Sequence, residues 1–172
     1  MNMQNFLSTL QGKWLSQQTL YNVCLEQTQS HNCEVFYDYK SNYELLMNKL
    51  QAKSKKFKTL DTLQISWTNG MPHLKNEVNY VVYFFSMDEL SSGDFIKWNR
   101  KRSNSLIKGK FNWSQAGILN FIVSNDIFSI NEKIYLPTYK LRLSTSVIKK
   151  YGICIFVSFV SEIKFNIIDK KS

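Results

Sequence analysis

Hydrophobic and polar residues alternate over most of the chain, a period of two that is typical of β-strands with one buried face. The alternation predicts strands at about residues 14–25, 34–39, 63–67, 78–86, 106–112, 117–124, 133–136, 140–148 and 153–165. Turns are expected at three glycine-containing dipeptides, Asn69-Gly70, Ser92-Gly93 and Tyr151-Gly152. Helical spacing of apolar residues is confined to residues 5–10, which end near Gly12, and to residues 43–50.

This order of elements predicts an all-β fold. Many strands with short connections indicate an antiparallel meander, and closure into a barrel removes the exposed edges that such a meander would leave. A barrel of about eight to ten strands has room inside for one small ligand. We therefore expect a single domain over residues 1–172, a lipocalin-like antiparallel β-barrel with a short N-terminal helix.

The formal net charge of +9 allows three kinds of partner: nucleic acid, a membrane surface, or a small anionic ligand together with acidic proteins. Arginine, which commonly reads base edges and phosphates, occurs only at Arg100, Arg102 and Arg142. The chain has no helix-turn-helix, zinc-finger or RNP-like motif. Alanine occurs only at Ala52 and Ala116 while lysine and asparagine abound, as in AT-rich genomes. We therefore predict no nucleic-acid partner; a basic nucleic-acid-binding barrel remains an alternative that rests on net charge alone.

The sequence also indicates what to expect of membrane insertion, of the cysteine thiols and of metal binding. No apolar run approaches the roughly 18 residues of a membrane span, and the first ten residues lack signal-peptide features, so we predict no membrane insertion. Cys24, Cys33 and Cys154 form no CxxC motif, which favours free thiols in a reducing compartment or small buried side chains. The two histidines, His31 and His73, have no partner at metal-ligand spacing, and we predict no metal site.

Strict alternation in the strand at 140–148 places Arg142, Ser144 and Ser146 on one face. A hairpin turn after this strand would bring Glu162 opposite Lys140, diagonal to Arg142 and within reach of its long side chain. Two interpretations remain open. The pair is an ordinary cross-strand ion pair, or it binds a molecule with both carboxylates and protonatable nitrogens. In the second case the arginine would take carboxylates and the glutamate would hydrogen-bond or protonate the nitrogens.

Two further clusters contain aromatic side chains. Trp67, Met71 and His73 surround the Asn69-Gly70 turn, which suits either a large conjugated ligand or ordinary core and loop packing. Residues 98–102 are basic and aromatic, which suits either contact with an acidic partner or a solvated loop.

Several stretches resemble one protein family. Residues 141–152 (LRLSTSVIKKYG) and 158–164 (SFVSEIK) resemble the C-terminal signature of the S-type phycobiliprotein lyases, the CpcS/CpeS family, roughly LRLRTSVLKRFG and then SFxSEIR. Phe6 and residues 12–19 (GKWLSQQT) are similar to the family's N-terminal FFxxSxGxWxSQRT. Residues 133–136 are similar to its RIWF stretch, and residues 108–111 and 117–119 also align.

The resemblance implies a lipocalin-like barrel that binds a phycobilin, phycocyanobilin or phycoerythrobilin, as substrate rather than as a permanent cofactor. The family attaches the bilin through a thioether to a cysteine of a phycobiliprotein α or β subunit, so the chain's own cysteines need not react. Carried over to this sequence, Arg142 would hold a propionate, Ser146 would assist, and Glu162 would lie near the pyrrole nitrogens; Ser144 and Gln18 are further positions of the expected bilin site. Arg142 and Glu162 are thus the catalytic candidates, and Trp67 and Met71 align with pocket residues.

The sequence also departs from the family pattern. Gln18 replaces the arginine of SQRT, Ser144 replaces the second arginine of LRLRTS, and His73 stands where a tryptophan is expected. Fewer cations in the bilin site imply weaker binding, a different bilin, or a heteromeric lyase in which a partner subunit supplies the missing group. The sequence leaves open whether the chain acts as a monomer, a homodimer or a heterodimer. The alternative function is a non-catalytic bilin carrier or a subunit of a heteromeric lyase. The expected location is the plastid stroma, with a cyanobacterial cytoplasm as second choice.

Overall fold

The computed structural model describes residues 1–41, 59–69, 78–86, 91–99 and 106–165. One helix, α1 (Met3–Leu10), precedes ten strands. The strands are β1 (Gly12–Asn22), β2 (Gln27–Lys40), β3 (Thr59–Asn69), β4 (Val78–Ser86), β5 (Ser92–Asn99), β6 (Leu106–Trp113), β7 (Leu119–Ser124), β8 (Phe128–Thr138), β9 (Leu141–Lys150) and β10 (Ile153–Lys164).

The ten strands form a closed antiparallel barrel in which each strand pairs with its neighbours in sequence and β1 pairs with β10. Closure gives every strand two partners, so the described sheet has no free edge. The predicted fold class, an antiparallel barrel with a short N-terminal helix, is confirmed.

One end of the barrel is filled by α1. Asn2 caps the helix by accepting a hydrogen bond from the backbone N–H of Asn5 at 2.8 Å. The buried side of the helix joins the inward-facing side chains of the strands in one core, in which the ring centroids of Phe6 and Trp113 lie 4.9 Å apart. The indole N–H of Trp14 donates to the carbonyl of Leu10 at 2.7 Å, which ties the start of β1 to the helix end.

Strand β5 was missed because Ser92-Gly93 was predicted to be a turn. Both residues lie inside the strand, with Gly93 opposite Phe111 of β6. A Cβ atom at position 93 would run into the carbonyl oxygen of Phe85 and would crowd the ring of Phe111. Glycine is therefore required here for close packing of backbone and ring rather than for a turn.

Strand boundaries also differ from the predicted ones. The first strand ends at Asn22 rather than residue 25, because the Asn22 side chain accepts hydrogen bonds from the backbone N–H groups of Cys24 and Leu25 and turns the chain. The turn at Tyr151-Gly152 is confirmed, with positive φ at both residues. The predicted helix at residues 43–50, the complete Asn69-Gly70 turn, Met71, His73 and residues 100–102 lie outside the described residues.

Candidate functional site

A cavity of about 290 Å³ lies inside the barrel. Strands β3 to β7 line it mainly with aliphatic and aromatic side chains, among them Ile65, Trp67 and Phe121. The opposite side, which we call the polar wall, consists of inward-facing residues of β1, β9 and β10: Ser16, Gln18, Arg142, Ser144, Ser146, Ser158 and Glu162. An interior with one apolar and one polar wall suits a flat ligand with polar groups along one edge.

A β-bulge in β10 sets the register of the polar wall. At the hairpin end, Ile153 pairs with Lys150, and the register shifts between Cys154 and Phe156. Without the shift, Glu162 would face Leu141 and its carboxylate would point out of the barrel. With it, Glu162 lies directly opposite Arg142 and faces inward. The predicted position of Glu162, opposite Lys140, was wrong by two residues: the turn, which pairs Ile153 with Lys150, accounts for one and the bulge for the other.

Arg142 is the centre of a buried ion cluster. Its Nη1 atom lies 3.0 Å from Oε2 of Glu162, and its Nη2 atom lies 4.0 Å from Oε1 of Glu132 on β8. The hydroxyl of Tyr37 on β2 donates to the same Oε2 of Glu162 at 2.9 Å. Arg142 and Glu162 expose only 6% and 2% of their surface. Four strands of the closed barrel, β8, β9, β10 and, beyond β1, β2, thus hold one guanidinium, two carboxylates and a phenol together.

Electrostatics fix the protonation of two members of this cluster. Burial raises the pKa of Tyr37 well above its ordinary value, and Glu162 raises it further against the opposing effect of Arg142. The phenol therefore stays protonated and remains a donor. Burial opposes the charge of Arg142, but the carboxylates of Glu162 and Glu132 outweigh it and raise its pKa, so the guanidinium stays charged.

One donor of the cluster has no partner. The Nε atom of Arg142 is buried and makes no hydrogen bond within the part of the chain that the structure describes. An unsatisfied buried donor is unfavourable by about 1–3 kcal/mol, and a ligand oxygen would relieve that penalty. The neighbouring hydroxyls of Ser146 and Ser158 lie 2.8 Å apart, and Ser144 lies on the same face of β9.

Trp67 lies on the apolar wall, and its ring meets that of Tyr80 edge-on, with centroids 5.3 Å apart. The Nζ atom of Lys97 on β5 stands 4.7 Å from the Tyr80 ring centroid and 5.9 Å from that of Trp67. Of the candidate residues predicted from the sequence, the structure brings all that it describes to the cavity: Gln18, Trp67, Arg142, Ser144, Ser146 and Glu162.

Sequence reasoning missed five polar residues of the cavity: Tyr37, Glu132, Lys97, Ser16 and Ser158. Tyr37 had a usable signal, because it falls in the predicted strand 34–39, two residues after the apolar Val35 and therefore on the same face of that strand. Glu132 lay one residue before the predicted strand 133–136, and Lys97 lies in the strand that was not predicted.

Neither a metal site nor a membrane helix is found in the described ranges. No group of three or more histidine, cysteine, aspartate and glutamate residues there is placed to hold a metal ion. None of the helices described there is long and apolar enough to cross a membrane.

Comparison with known sequences identifies relatives of the whole chain. A family model described as "CpeS-like protein" matches residues 2–165. "Chromophore lyase CpcS/CpeS" of Thermosynechococcus vestitus is 23% identical over 97% of this chain and 94% of the relative. "Chromophore lyase CpcS/CpeS homolog" of Gracilaria tenuistipitata var. liui is 25% identical over 95% of this chain and 98% of the relative.

A solved structure shares the fold. The S-type phycobiliprotein lyase CPES from Guillardia theta superposes with a TM-score of 0.71, covering 96% of this chain and 94% of that one at 16% identity. The barrel is therefore the architecture of that protein as well. The family match over nearly the full length confirms the resemblance drawn from the sequence motifs, and the chain belongs to the CpeS-like protein family.

Proposed function

We propose that this chain is a bilin lyase, which binds a phycobilin in the barrel and joins it through a thioether to a cysteine of a phycobiliprotein α or β subunit. The observation that carries the proposal is the buried cluster that Arg142 and Glu162 of the polar wall form with Tyr37 of β2. Membership of a family whose relatives are named chromophore lyases supports it.

The two walls suit the chemistry of a phycobilin, an open-chain tetrapyrrole with two propionates. The apolar wall, with Trp67, packs against the conjugated rings. Arg142 binds a propionate, and its unpartnered Nε donates to that carboxylate, with Ser144 and Ser146 on the same strand face. Glu162 and Glu132 accept hydrogen bonds from pyrrole nitrogens. A cavity of 290 Å³ is small for such a ligand, so part of the bilin projects toward a docked acceptor.

The reaction adds the acceptor thiol across the exocyclic double bond of ring A. Sulfur bonds to the ethylidene carbon and the thiol proton passes to the ring carbon of the same double bond. One C–S and one C–H bond therefore replace the S–H bond and the π bond of C=C. The protein contributes mainly position: it holds the bilin extended, shields it from water and presents ring A to the acceptor. Glu162 holds a proton at the pyrrole nitrogens, which makes the conjugated system more electrophilic.

The chain's own inner-wall thiol is poorly suited to compete with the acceptor. Cys33 lies opposite Ser16 in the barrel ladder, next to the polar wall. Burial raises the pKa of Cys33 above its ordinary value of 9.0, against a hydrogen bond from Ser16 that lowers it. Because the thiolate is the nucleophile, a raised pKa keeps Cys33 unreactive toward a bound bilin near neutral pH.

A second function, a bilin carrier or a non-catalytic subunit of a lyase pair, is favoured by the polar side chains at two cavity positions. Gln18 and Ser144 both line the cavity and neither carries a charge.

The organisms of the relatives, a cyanobacterium and a red alga, support the plastid stroma as the location of the protein, with a cyanobacterial cytoplasm as second choice.

Reconstitution separates the two functions. We expect the purified protein, mixed with phycocyanobilin or phycoerythrobilin and each apo-subunit, to form a covalent adduct on one acceptor cysteine faster than a control without the protein. Zinc-enhanced fluorescence in a denaturing gel measures the adduct. Bilin binding with no acceleration of attachment would reject the lyase and favour the carrier.

Glu162→Gln tests the proton-handling role while it keeps the size and polarity of the side chain. Bilin affinity should stay within about 3-fold, whereas the single-turnover rate of transfer should fall about 100-fold, the usual loss for a general acid–base group. Absorbance titration gives the affinity, and rapid-quench gels give the rate. Equal losses in binding and transfer would show that Glu162 only holds the ligand.

Tyr37→Phe removes the hydroxyl that fixes Glu162, and Tyr39→Phe is its matched control, since Tyr39 donates to Asp61 at 3.0 Å and does not line the cavity. Each variant should lose about 1–2 kcal/mol of unfolding free energy with one hydrogen bond, measured by urea denaturation. Only Tyr37→Phe should also slow bilin transfer. Equal transfer rates in the two variants would remove Tyr37 from the site.

A further inference from the structure

The cavity contains a second positive charge besides Arg142. Lys97, on β5, lines the cavity beside the rings of Trp67 and Tyr80. Among the described residues that line the cavity, Lys97 and Arg142 are the two that carry a positive charge, and Glu132 and Glu162 are the two that carry a carboxylate.

The two cations differ in how their charge is balanced. Both carboxylates of the cavity lie within 4.0 Å of the Arg142 guanidinium. The contacts that the structure gives Lys97 are with aromatic faces, and no described carboxylate lies within ion-pair distance of its Nζ atom. Aromatic rings attract an ammonium but accept none of its hydrogen bonds at full strength, so three N–H donors remain for a ligand. Lys97 is therefore the uncompensated positive charge of the described cavity lining.

The barrel places the two cations on different walls. The strand order β9-β8-β7-β6-β5 puts Lys97 four strands from Arg142 in a ring of ten, close to diametrically opposite. Both side chains face the same interior. A single ligand that satisfies both must carry two anionic groups on arms long enough to reach both walls of the cavity.

We propose that Lys97 binds the second carboxylate of a ligand whose first carboxylate is held by Arg142. This inference rests on the proposed function, since the two propionates of a phycobilin supply such a pair. Lys97 then provides the cation that the uncharged Gln18 and Ser144 do not, and it does so from the opposite wall. A partner subunit is not needed to complete the anion-binding set.

A purely structural role for Lys97 has a different signature. In that case its ammonium would serve only to hold the rings of Trp67 and Tyr80 through cation–π contacts. Removing the charge would then disturb the binding of any bilin to the same extent, whether or not the propionates are ionised. A bilin with esterified propionates separates the two roles.

The test compares Lys97→Met, which keeps the apolar stem, with Lys97→Arg, which keeps the charge. Lys108→Met is the matched control, because Lys108 is exposed on β6 and does not line the cavity. The probes are phycocyanobilin and phycocyanobilin dimethyl ester, and absorbance or fluorescence titration gives the dissociation constants. Circular dichroism checks that each variant has the wild-type fold.

We expect Lys97→Met to weaken phycocyanobilin binding about 10-fold, the loss of roughly one charge-assisted contact. Lys97→Arg and Lys108→Met should stay within about 2-fold of wild type, and the dimethyl ester should bind wild type and Lys97→Met equally. Unchanged phycocyanobilin affinity in Lys97→Met, or the same loss for the ester, overturns the role of Lys97 alone. Failure of the wild-type protein to bind phycocyanobilin overturns the proposed function and this inference together.

Discussion

A guanidinium buried inside a protein must be surrounded by groups that balance its charge, and this requirement at Arg142 governs the arrangement of the barrel interior. An isolated buried charge is unfavourable by several kcal/mol, and even a buried pair depends on good geometry and further hydrogen bonds. Glu162, Glu132 and Tyr37 supply these from three other strands. Each of those strands must therefore be in one particular register, because a shift by one residue would turn its polar side chain outward.

The rest of the fold meets that requirement at specific positions. The bulge between Cys154 and Phe156 brings Glu162 to the inner face, and closure of the barrel through β1 and β10 connects β2, with Tyr37, to the same wall. Helix α1 fills one end of the barrel with apolar side chains. The polar cluster lies at the side of the cavity. The remaining unpartnered donor, Nε of Arg142, is then available to a ligand.

Alternation was sufficient to predict the fold class and the polar face of β9, because a period of two directly reports which side chains share a face. It was not sufficient for the exact register of Glu162, since the register depends on which residues form the turn and on a bulge, and a bulge changes the pairing without leaving a distinct mark on composition. Gly93 was wrongly assigned to a turn, because glycine occurs both in turns and at positions where two stretches of backbone pack closely. Lys97 was missed because it lies in β5, a strand that the pattern did not show. Glu132 was missed because the predicted strand began one residue after it.

The most direct test of this account is a high-resolution structure of the protein with phycocyanobilin bound. We expect one propionate within hydrogen-bond distance of Nε of Arg142 on the polar wall, with the pyrrole nitrogens facing Glu162 and Glu132. A bilin that lies in the barrel with both propionates in solvent, and with Arg142 bonded only to its two glutamates, would contradict it.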